Sequence, residues 1–73
     1  MDMRALVGRN VKRLRQRKGL TQEAFADVSG LSQQYISGLE NGRRNPTVVT
    51  LHELASALGT APMELIRPER KRR

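Results

Sequence analysis

Seventy-three residues make one domain. A chain this short buries only ~60% of the surface it exposes when unfolded, so its stability is marginal and self-association would help. The lack of cysteine excludes a disulfide framework and a thiolate metal site. A net charge of +7, from 14 Lys and Arg against 7 Asp and Glu, favours a polyanionic partner. Phe25 and Tyr35 are the only aromatics, too few to stack the bases of a single strand. No apolar run approaches ~18 residues and residues 1–10 lack a signal-peptide core, so the expectation is a soluble, cytoplasmic protein with no membrane partner.

The first helix is predicted from about Arg4 to Arg17, after a frayed start. Leu6, Val7, Val11 and Leu14 form its apolar stripe, Arg4, Arg9, Lys12 and Arg13 take much of the remaining surface, and Gly19 ends it. Arg15 lies one residue beyond Leu14, at the core edge. Thr21 is a natural N-cap for a second helix over about Gln22 to Ser29, with Leu20 and Phe25 as a hydrophobic staple. Gly30 turns the corner, and Ala26 is small enough for two helices to cross closely. Ser32 repeats the capping device for a third helix over about Gln33 to Asn41, with Leu31 and Ile36 as its staple. At about 100° per residue, Tyr35, Ile36, Leu39 and Glu40 fall on one side of that helix. Gln33, Gln34, Ser37, Gly38 and Asn41 fall on the other, a face of amides and a hydroxyl with no free acid.

Residues 42–46 (Gly-Arg-Arg-Asn-Pro) read as a turn. The fourth helix begins after Thr47 or after Thr50, which has capping-box spacing to Glu53. Val48, Leu51, Leu54, Ala55 and Leu58 are its expected buried stripe; His52 points away from it, and Gly59 ends it. Pro62 suits the first turn of a fifth helix that stops before Pro68. Met63, Leu65 and Ile66 are more apolar surface than a short helix needs for a core. Residues 1–66 are therefore read as the folded domain, and 67–73 as a basic, solvated and disordered tail, with added phosphate affinity as its alternative role.

The Thr21–Gly42 stretch resembles the helix-turn-helix of the phage repressor/Cro (Xre) family. Phe25, Ala26, Gly30, Leu31, Ile36 and Leu39 supply its pattern in order. Arg15, Gly19-Leu20-Thr21-Gln22, Leu39-Glu40-Asn41-Gly42 and Asn45-Pro46 match around it. Tyr35 to Glu40 followed by Arg44-Asn45 resembles the restriction–modification controller members. The resemblance covers about Leu6 to Ile66. It implies an all-α, compact five-helix bundle of the lambda-repressor-like type, and a bacterial or phage regulator that binds double-stranded DNA as a homodimer.

In that geometry the second helix crosses the DNA backbone and the third enters the major groove. A glutamine amide matches adenine N6 and N7 bidentately, so Gln33 and Gln34 are the expected base readers, with Ser37 further along. Gln22, on a helix's first turn, suits a phosphate; Tyr35, Asn41, Arg43 and Arg44 join it as backbone contacts, Asn41 serving equally as a C-cap. Gly38 offers no side chain to a base: either the backbone comes close to DNA there or that base pair goes unread. The resemblance pairs Arg15 with Glu40, whose charge would otherwise lie unpartnered toward the core. It makes Met63, Leu65 and Ile66 the two-fold contact, against plain core packing. No nucleophile–base pair, carboxylate pair or metal-ligand cluster supports chemistry, so neither an enzyme, a cofactor nor a small-molecule effector is expected. The alternative is an antitoxin that binds a toxin protein and autoregulates its promoter.

Overall fold

The computed structural model describes residues 1–68. Five helices follow in order: α1 (Met3–Arg17), α2 (Gln22–Ser29), α3 (Gln33–Glu40), α4 (Val48–Leu58) and α5 (Met63–Ile66). There is no strand among the described residues. No helix among them is long and apolar enough to cross a membrane. The expected basic tail falls outside this range from residue 69 onward.

Each helix start has a local cause. Asp2 takes extended backbone and its Oδ1 accepts from the N–H groups of Arg4 and Ala5, so the first turn of α1 is held where fraying was expected. Thr21 Oγ1 accepts from Ala24 N–H (3.0 Å) and Ser32 Oγ from Tyr35 N–H (3.0 Å). For α4 the earlier start applies: Thr47 Oγ1 accepts from Thr50 N–H (3.1 Å), so the Thr50 spacing forms no capping box. Gly30 ends α2 at φ 78°, with open space where a Cβ would sit. Its requirement is thus backbone conformation, not room.

The core joins Val7 and Val11 of α1, Phe25 and Ala26 of α2, Ile36 and Leu39 of α3, Leu54, Ala55 and Leu58 of α4, and Leu65 of α5. Leu14, Leu20, Leu31, Tyr35 and Leu51 pack on its edge. Val48 departs from its expected place in the α4 stripe. It is 81% exposed and Val49 beside it 66%, so the first turn of α4 stands in solvent.

Two features of α1 escape a hydrophobicity reading. A Cβ on Gly8 would lie 2.4 Å from the Leu39 carbonyl oxygen and 2.9 Å from that of Glu40. Only glycine lets α1 lie directly on the C-terminal end of α3. Asn10 is completely buried; its Nδ2 donates to the carbonyls of Leu65 and Arg67 (both 2.9 Å), and its Oδ1 accepts from Arg13 Nη1 (2.7 Å). It ties down the end of α5, a four-residue helix too short to hold itself. Arg13 is accordingly half-buried against Asn10 and not spread over the surface.

Candidate nucleic-acid interface

The α2–turn–α3 unit presents its polar residues on one open side. Gln33 and Gln34 are exposed on the first turn of α3, and Gln22 and Ser37 are half-buried beside them. These four line one depression. Gln34 and Ser37 continue into a second, lined also by Gly38, Asn41, Arg43 and Arg44. The structure therefore brings the expected base-facing amides and the loop arginines onto one continuous surface. From residue 33 to 49 the sequence holds a single acid, Glu40, and its side chain is only 3% exposed.

Glu40 is withdrawn because it is paired. Arg15 Nε donates to Glu40 Oε2 at 2.6 Å and Arg15 Nη2 to Oε1 at 3.0 Å, a bidentate fork between α1 and α3. Arg15 Nη1 donates to the Leu20 carbonyl (2.8 Å), so the guanidinium also fastens the turn before α2. Gln22 Nε2 donates to Glu40 Oε1 (3.1 Å), which occupies part of the amide expected at a phosphate.

Gly38 has a role the sequence left between two alternatives. Arg44 folds back across it: a Cβ on Gly38 would stand 3.1 Å from Arg44 Nε and 3.4 Å from its Cγ. The same guanidinium lies over the Tyr35 ring, 5.4 Å from its centroid. Partial burial raises the Tyr35 phenol above its ordinary pKa, and the Arg44 charge opposes that. Glycine at 38 thus leaves a bed in which Arg44 rests along α3, on the margin of the open face. Asn41 caps α3 and its Nδ2 donates to the Ser37 carbonyl (2.9 Å), while the residue stays exposed.

Of the three residues expected at a two-fold contact, the structure separates one. Leu65 is fully buried and belongs to the core, because a four-residue helix turns only one of these side chains inward. Met63 and Ile66 remain 60% and 43% exposed.

A five-helix bundle that displays a helix-turn-helix with an acid-free polar face defines a DNA-binding regulator. The helix-turn-helix family HTH_3 matches residues 11–65. The chain belongs to that family and is a DNA-binding transcriptional regulator. It is similar to the uncharacterized HTH-type transcriptional regulator y4dJ of Sinorhizobium fredii, 65% identical over 68 residues, covering 93% of this chain and 88% of that one. Control protein C.SmaI of Serratia marcescens is 39% identical over 66 residues, 90% of this chain and 79% of its own. The crystal structure of the restriction-modification controller protein C.AhdI from Aeromonas hydrophila superposes with a TM-score of 0.82 at 42% identity, covering 85% of this chain and 94% of that one.

Proposed function

We propose that two copies of this protein bind a pseudo-palindromic operator, each placing α3 in a major groove. Gln33, Gln34 and Ser37 read base edges, and Gln22, Tyr35, Asn41, Arg43 and Arg44 hold the sugar-phosphate backbone. The observation that carries this reading is the continuous surface that joins the amides of α2 and α3 to the two loop arginines, with Glu40 drawn inward. Phosphates meet donors there and no free carboxylate. Met63 and Ile66 supply the exposed apolar surface for the two-fold contact, with Ile66 beside Met3 and Pro46. Half-sites then lie about one helical turn apart, roughly 34 Å. The protein acts in the cytoplasm, on the nucleoid when bound, without cofactor or small-molecule effector.

The test separates reading from holding. A duplex is first selected from random sequence, then compared with unselected duplex. Gln33→Ala should cost ~1–3 kcal/mol on the selected site, relax preference at one base pair, and leave random-duplex affinity unchanged. Arg43→Ala should weaken both and lower the salt slope by about one. If Gln33→Ala is equally harmless on both duplexes, α3 does not read there. Ile66→Glu should reduce the mass seen in sedimentation and the cooperativity of binding; no change in either would remove the α5 contact.

A further inference from the structure

We propose that Glu40 is a positioning residue for DNA binding: it fixes the Gln22 amide in one polarity at the protein–DNA surface. The proposal rests on the reading of Gln22 as a DNA contact. Glu40 Oε1 accepts at once from Arg15 Nη2 (3.0 Å) and from Gln22 Nε2 (3.1 Å). Arg15 is itself clamped, by Glu40 Oε2 at 2.6 Å and by the Leu20 carbonyl at 2.8 Å. Along this chain the direction of every hydrogen bond is forced. A guanidinium only donates and its paired carboxylate only accepts, so the amide must donate inward. A flipped amide would set Oε1 against the carboxylate lone pairs.

One Nε2 proton and Oε1 are left for whatever enters the depression that Gln22 shares with Gln33, Gln34 and Ser37. A phosphate offers acceptors alone and takes the remaining N–H. The bridge between α1 and α3 therefore does more than join two helices. Through Glu40 it orders a long side chain of α2 before DNA arrives, which removes that ordering cost from binding.

The experiment crosses Glu40→Gln with Gln22→Met and measures Kd for the selected duplex, with the folded fraction of each variant measured in the same buffer. Gln22→Met alone should weaken binding. Glu40→Gln should weaken it by about three- to tenfold where Gln22 is present, and add nothing where residue 22 is already methionine. An equal loss in both backgrounds means that Glu40 supports the fold alone, and overturns the proposal. An unchanged Kd for Gln22→Met removes Gln22 from the DNA contacts and overturns the proposal with it, while the Gln33 comparison on α3 stands or falls separately. Should Glu40→Gln not fold, side-chain amide exchange in the unaltered protein decides. One Gln22 Nε2 proton should exchange more slowly than those of exposed Gln16, Gln33 and Gln34, and equal exchange overturns the proposal.

Discussion

Removing Arg15 tests how the fold depends on one ion pair. In Arg15→Met, Glu40 keeps only the Gln22 amide as a partner, with its own side chain 3% exposed. The Leu20 carbonyl loses its guanidinium donor as well. Breaking a buried pair in this way costs ~3–5 kcal/mol, because an uncompensated charge stays out of water. A domain of this length has roughly 4–11 kcal/mol in total, so the loss consumes much of it. The melting temperature should fall by at least ~12 °C. Replacing both partners, Arg15→Met with Glu40→Leu, removes both desolvation penalties; what remains is an unsatisfied Leu20 carbonyl, ~1–3 kcal/mol. The double variant should therefore be more stable than Arg15→Met alone. Urea melts of the wild type, both single variants and the double variant complete the cycle. Small effects that simply add would refute the reasoning, since they require both charges to be solvated.

Three further expectations concern the glycines and the tyrosine. Gly8→Ala drives a Cβ onto the Leu39 and Glu40 backbone, and should destabilise by ~1–3 kcal/mol in a thermal melt despite its better helix propensity. Gly38→Ala meets only the flexible side chain of Arg44. It should leave stability equal or up to ~1 kcal/mol higher, yet weaken binding to random duplex as Arg44 leaves its bed. Tyr35 is the chain's single tyrosine, so phenolate absorbance reports it alone. Its folded pKa is raised, chiefly by burial and against the pull of Arg44. The folded state thus holds the proton more tightly, and stability should be lost as pH rises through a window that opens at the unfolded value of about 10. Arg44→Ala should move the phenol higher still; a downward move would place the guanidinium elsewhere.

The elements that could be read along the chain are those with local causes. Thr21, Ser32 and Gly30 mark the helix-turn-helix because capping and positive φ are settled within a few residues. Periodicity likewise sorted α3 into a core side and an open side, since that face repeats every turn. The start of α4 stayed open in the sequence because Thr47 and Thr50 are both good caps. Thr47 is the one used, and Val48 just after it stays outside the core.

Other features depend on residues far apart in sequence. Gly8 is needed because α1 lies on backbone 31 and 32 residues later, at Leu39 and Glu40. Asn10 is buried to satisfy carbonyls 55 and 57 residues away. Leu65 parts from Met63 and Ile66 only once α5 has a neighbour to face. Arg44 rests on Gly38 and Tyr35 because the loop folds back, and Gln22 reaches Glu40 because α2 crosses α3. By itself the sequence determined the helices, the Thr21 and Ser32 caps, the polar face of α3 and the chemistry offered there, since each is settled within a turn or two of chain. Tertiary structure alone decided which of those side chains are held, shared or hidden: close approach and hydrogen-bond satisfaction are properties of pairs, and a one-dimensional pattern records only one member of each.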